Sequence, residues 1–283
     1  MKHAILIILL SFPLFKDTEP PVIEKVWEIS EGLEVPESVV YDRENNVLYV
    51  SNYKRFVKKK NGSNYSDCSI SKVDLNGQII IKDWIPNLSS PTGLFLKDGL
   101  LYIVERFGIA IYDIENDKMK ARHRIKHDFF INDITIDNEN NIYVTEAGGN
   151  TLYRIKENKV TSWIKSDSIG DANGISFIDD KLYIGVNEDG FLKSIDTKTK
   201  QISNVYHLGE GNIDGIKKRG NQLLISLYDK GMRLIDENGE IMEFVNTSST
   251  GLHCADFEYI PHKDMIIVPS LFDNTLTAYK FKD

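Results

Sequence analysis

The sequence predicts an all-β fold, a six-bladed β-propeller of four-stranded blades whose ring is closed by the N-terminal strand, and three observations support it. One unit recurs six times, successive copies keep a spacing near 40 residues, and the last copy ends a strand short while a spare β-prone segment precedes the first.

The unit is a small or polar pair, a short run alternating apolar and polar residues, a turn, and a second run of the type Leu-Tyr-Val. It reads Glu37-Ser38-Val39 with Leu48-Tyr49-Val50, Thr92-Gly93-Leu94 with Leu101-Tyr102-Ile103, and Asn132-Asp133-Ile134 with Ile142-Tyr143-Val144. Asn173-Gly174-Ile175 with Leu182-Tyr183-Ile184, Asp214-Gly215-Ile216 with Leu223-Leu224-Ile225, and Ala255-Asp256-Phe257 with Ile266-Ile267-Val268 complete the set. From Thr92 onward the copies start 40, 41, 41 and 41 residues apart, and the 55 between Glu37 and Thr92 leave about 14 extra residues for a polar loop over 53–67.

A period of this length, with Gly, Asn or Asp at the turns, accommodates four short strands per copy. The third copy shows them: residues 131–136, 142–145, 151–156 and 159–164 alternate as strands, with Asn138-Glu139-Asn140 and Gly148-Gly149-Asn150 as reversals. The sixth copy reaches Asp283 after about three strands, so residues 22–30 are expected to pair with residues 275–281 as the outer strand of that blade. The propeller domain then spans 22–283.

Residues 1–16 pair Lys2 with an apolar run from Ala4 to Leu10, too short to span a bilayer, and read as a signal peptide. The expected location is secreted or periplasmic, without a transmembrane domain. The formal net charge of −8 argues against a nucleic-acid partner, because the dense basic run, Lys58-Lys59-Lys60, lies in the polar loop with little aromatic support. Cys68 and Cys254 are the only cysteines, which excludes a structural zinc site and leaves either a disulfide or two buried thiols.

In a propeller the innermost strand of each blade lines the central tunnel, so equivalent repeat positions meet at one mouth. Those positions are Glu37, Thr92, Asn132, Asn173, Asp214 and Ala255, none followed directly by a basic partner. Glu37, Asn132, Asn173 and Asp214 would present four oxygen ligands about one axis, which suits calcium or another hard divalent cation rather than zinc or copper. The alternative is that each Asn or Asp merely bonds its own backbone at a strand start. Thr92 and Ala255 at the same phase show that folding does not demand an amide or carboxylate there.

At these residues the chain resembles the gluconolactonase/regucalcin-like propellers, and more distantly diisopropylfluorophosphatase and the paraoxonases. Pro36-Glu37-Ser38-Val39, Asn132-Asp133, Asn173-Gly174-Ile175 and Asp214-Gly215-Ile216 resemble the family's motifs in the first, third, fourth and fifth blades. The resemblance implies that Glu37, Asn173 and Asp214 hold a divalent metal, that Asn132 touches metal or substrate, and that Asp214 acts as general base. Ile134 and Phe130 depart from the Gly and Arg usual in the family's lactonases, and Thr92 stands where a paraoxonase-like histidine would be needed. His253 and Asp256 are further titratable residues near the sixth-blade mouth.

The function expected is therefore hydrolysis of a small lactone or related ester by a calcium-dependent, monomeric enzyme. The other expectation is a propeller that binds a ligand or protein and uses the metal only as a structural pin, its mouth capped by Phe129, Phe130 or Tyr228.

Overall fold

The computed structural model describes residues 19–53, 68–187, 189–209, 211–248 and 252–282. The expected signal peptide and nearly all of the polar loop lie outside those residues.

Six antiparallel four-stranded sheets form the ring, and the strands of the third blade are Phe130–Ile136, Ile142–Ala147, Thr151–Lys156 and Lys159–Lys165. The sixth blade combines Glu258–Ile260, Met265–Ser270 and Thr275–Phe281 with Ile23–Ile29, whose register runs from Ile23 opposite Phe281 to Ile29 opposite Leu276. The two ends of the chain thus lock the ring as expected. No helix among the described residues is long and apolar enough to cross a membrane.

Hydrophobic side chains alternate toward the gaps between blades, producing six buried clusters, one at each blade junction. The cluster joining blades six and one includes Ile29, Val39, Leu48, Val50, Ile267 and Leu276. Second strands are wrapped on both faces, as in Val47–Asn52, whereas an outer strand such as Lys118–Arg124 alternates half-buried and exposed residues. The copy-to-copy spacing in the sequence is the imprint of this radial packing.

The innermost strands approach one another so closely that the position after the mouth residue must be small in three blades, at Gly93, Gly174 and Gly215. A Cβ on Gly174 would sit 1.5 Å from the Asp214 carbonyl oxygen, and one on Gly215 would sit 2.6 Å from the Phe257 ring. These glycines are packing requirements of the tunnel and not turn residues. Cys68 and Cys254 are buried thiols not joined to each other, and burial pushes that of Cys254 up to about 12.

Candidate functional site

The four residues predicted as ligands lie on the innermost strands Pro36–Asp42, Phe130–Ile136, Ala172–Ile178 and Ile213–Arg219. In each of these the register with the second strand shifts at the same place, between Pro36 and Val39, Ile131 and Ile134, Ala172 and Ile175, and Ile213 and Ile216. A bulge repeated at one phase re-aims the mouth side chains and leaves a ladder N–H unpaired. Hydroxyls on the second strands accept those N–H groups: Ser51 from Ser38 at 2.9 Å, Thr145 from Asp133 at 3.0 Å and Ser226 from Gly215 at 2.7 Å. Thr145 and Ser226 also donate to the carbonyls of Asn173 and Ala255 in the next blade, at 2.7 and 2.9 Å, tying the ring together around the tunnel.

Glu37, Asn132, Asn173 and Asp214 converge with Thr92 on one cavity of about 300 Å³. Glu37 and Asp214 are 6% and 5% exposed. Glu37 Oε2, Asn132 Oδ1 and Asp214 Oδ1 are buried with no hydrogen-bond partner among the described residues. Asn132 donates its amide N–H to Asn173 Oδ1. Burial holds the Glu37 carboxyl well above the usual carboxylate range, and Asp214, Asp256 and Asp133 push it further. Asp214 is raised in the same direction by burial, Asp256 and Asp133. Unpaired acceptors in a dry, negatively charged mouth are costly unless a cation or donor joins them.

Among the described residues no group of three His, Cys, Asp or Glu side chains is arranged to hold a metal ion. The mouth instead combines two carboxylates with two amides. Its donors are all oxygens, and its orphaned atoms need positive charge, so the residues present fit a hard divalent cation.

A second ring lies one step along the tunnel and was not foreseen from the sequence. Asp256 does not join the mouth: its Oδ2 accepts the Ser38 hydroxyl at 2.6 Å and its Oδ1 forms an ion pair with Lys217 at 3.2 Å. Asp133 accepts the backbone N–H groups of Ile134 and Ile175 at 2.7 and 2.8 Å. Burial alone would lower the Lys217 ammonium, yet Asp256, Glu258 and Asp133 outweigh it and hold it above the ordinary lysine value. Lys217, three residues beyond Asp214, reaches this second ring and is not among the described residues that line the mouth. Strand alternation carried past the bulge is the signal that could have revealed it.

The remaining cavity wall is Tyr53, Phe130, Asn212, Tyr228, Leu271 and Phe272. Phe130 and Asn212 occupy one phase of the repeat, two residues before Asn132 and Asp214; Tyr53, Tyr228 and Leu271 occupy another, directly after the second strand of their blades, and Phe272 lies one residue further on. His253 is absent from the lining; its ring packs behind Tyr228 at 4.6 Å, with Nδ1 3.6 Å from Asp273. Phe129 is 60% exposed and does not line the cavity, and neither Phe130 nor Tyr228 closes it.

No family model matches the sequence and no curated protein matches it. Similar solved structures include a gluconolactonase from Xanthomonas campestris, with a TM-score of 0.68 and 12% identity over 94% of this chain and 96% of that one. Virginiamycin B lyase from Staphylococcus aureus gives a TM-score of 0.65 and 14% identity over 91% and 99%. The β-propeller domain of Cps50 (Swd1) from Myceliophteria thermophila gives 0.60 and 11% over 89% and 98%. The gluconolactonase-like resemblance read from the sequence therefore has a counterpart among the similar folds, and identities this low establish the propeller architecture alone.

Proposed function

We propose that the protein is an exported, monomeric, calcium-dependent hydrolase that opens a small lactone or related ester at the tunnel mouth. The observation that carries this reading is the set of unpartnered buried oxygens of Glu37, Asn132 and Asp214 on the floor of one cavity. Glu37, Asn132, Asn173 and Asp214 would hold the ion, which when bound polarises a carbonyl and stabilises negative charge on its oxygen.

The chain's own groups then divide the remaining work. Asp214 has no hydrogen bond holding its Oδ1, so it is available to take the proton of an attacking water. Asn132 presents its amide to the substrate beside it. Tyr228 is pushed up to about 12 by burial and by Asp214, so it keeps its proton at neutral pH and can donate from the wall. The aromatic wall limits access of bulk water from the side.

The binding-propeller reading calls for a capped mouth, and the open cavity weighs against it. A screen of lactones, aryl esters and phosphotriesters, run with calcium and then with chelator, tests the proposal. Turnover that chelator abolishes is expected; calcium binding without turnover of any substrate would assign a structural metal instead. Because one similar fold is that of a lyase, product mass is part of the test: hydrolysis adds one water to the product and elimination does not.

A further inference from the structure

We infer that the substrate of this mouth is an uncharged molecule bearing an apolar or aromatic substituent, in preference to an anionic or polyhydroxylated one; the inference deepens, and rests on, the reading of the mouth as a catalytic site. Charge is the first argument. Among the described residues that line the cavity, the charged ones are Glu37 and Asp214, and Lys, Arg and His are absent. One divalent ion only cancels the two carboxylates, so among the described lining residues no positive charge remains for a carboxylate or phosphate on the substrate.

The second argument is the wall. Tyr53, Phe130, Tyr228, Leu271 and Phe272 surround the floor, Tyr53 meeting Phe130 edge to face at 6.3 Å and Tyr228 backed by His253. Rings braced by neighbours form a preformed apolar surface. Polar capacity is correspondingly small. The Thr92 hydroxyl is committed to the Asn132 carbonyl at 2.6 Å, and the Asn173 amide oxygen accepts one N–H of Asn132, which leaves the second Asn132 N–H, the Asn173 amino group, Asn212 and two tyrosine hydroxyls for a ligand. A sugar lactone with a hydroxyl on most carbons would bury more donors than these can satisfy.

On loops at this end of the propeller Phe129 and Phe272 are 60% and 47% exposed and add apolar surface, whereas Phe107 has the Arg106 and Arg124 guanidinium groups 5.6 and 5.7 Å from its ring and lines a separate, charged cavity.

The test uses the full chain with saturating calcium and three δ-lactones: δ-valerolactone, δ-decalactone and glucono-δ-lactone. The corresponding lactams, which resist hydrolysis, are titrated in parallel by calorimetry. Each of the first few added methylenes should raise kcat/KM about fourfold, the equivalent of about 0.8 kcal/mol, and the glucono compound should be the poorest of the three. The lactams should bind in the same order. Phe130→Arg should lower efficiency toward δ-decalactone at least tenfold, and Phe272→Ala, at an exposed loop position, should reduce the chain-length effect if the first variant fails to fold. Lactams that bind in the expected order without turnover of any lactone would defeat the hydrolase reading and leave this inference standing. Tighter binding of gluconolactam, no gain from the alkyl chain, or binding of neither would overturn it.

Discussion

Two sets of carboxylates in this molecule begin from similar local sequence and end in opposite states. At the ends of the inner strands remote from the mouth, Asp42 accepts the N–H groups of Glu44 and Asn45, the Asn45 amide and the Tyr49 hydroxyl, all within 3.0 Å. Asp137 repeats the arrangement with Glu139, Asn141 and Tyr143. Burial alone would raise Asp42, but the hydrogen bonds from Asn45, Tyr49 and Glu44 hold it below the usual value. At the mouth, Glu37 and Asp214 are equally secluded, each has an oxygen without a partner, and both are raised. Turn carboxylates complete themselves with their own backbone. Those at the mouth do not, and this separates a structural aspartate from a site that requires something from outside.

The largest effect should come from Asp214→Asn. If Asp214 is both ligand and base, the hydrolase activity should fall by roughly 10²–10⁴-fold, and added calcium should restore only part of it, as initial rates across a calcium titration would reveal. Asp42→Asn, in a turn, should leave the rate at saturating calcium within about twofold.

Stability offers the next contrast. Calcium at ~100 times its dissociation constant should add ~2.7 kcal/mol to unfolding, read from denaturant midpoints, and chelator should remove it. Asp42→Ala strips partners from a buried hydroxyl and two N–H groups and should cost about 1–3 kcal/mol whether or not calcium is present. An Asp42→Ala loss that calcium repaired would blur the distinction between the two sets.

The pH dependence should separate them by sign. In the calcium-free protein the raised Glu37 and Asp214 retain protons that the unfolded chain has released, so stability falls as pH rises from the ordinary carboxylate range through their raised values. The lowered Asp42 contributes stability above the ordinary range and loses it as pH falls through its folded value. Melting curves of the calcium-free protein between about pH 4 and 9 should show the first slope, and the Glu37→Gln/Asp214→Asn pair should flatten it. An unchanged slope in that pair would place its origin elsewhere.

Much of this was legible in the residue order because a propeller writes its geometry as a period. The 40 to 41-residue spacing located the inner strands and brought Glu37, Asn132, Asn173 and Asp214 to one cavity, and the missing last strand predicted the pairing of Ile23–Ile29 with Thr275–Phe281. What escaped depends on departures from regular alternation. The bulge turns two successive residues inward, so Asp133 and Ser38 enter the tunnel where simple alternation would bury only one residue of each pair. Lys217 was missed for a related reason, since its partner Asp256 comes from the neighbouring blade. Ser51, Thr145 and Ser226 follow the Leu-Tyr-Val runs and could have been found by extending the repeat by one residue. Tyr53 and Leu271 share with Tyr228 the position directly after the second strand, two residues beyond Ser51 and Ser226, so a longer extension of the repeat would have reached them, whereas Phe272 lies past it in a hairpin whose length differs from blade to blade.

Calcium titration calorimetry on the full chain, its Asp214→Asn variant and its Asp42→Asn variant tests the central claim most directly. One calcium per chain should bind the wild type and Asp42→Asn with similar affinity, and Asp214→Asn should bind at least tenfold more weakly. Absence of binding to the wild type, or equal binding by all three proteins, would contradict the assignment of the mouth as a cation site.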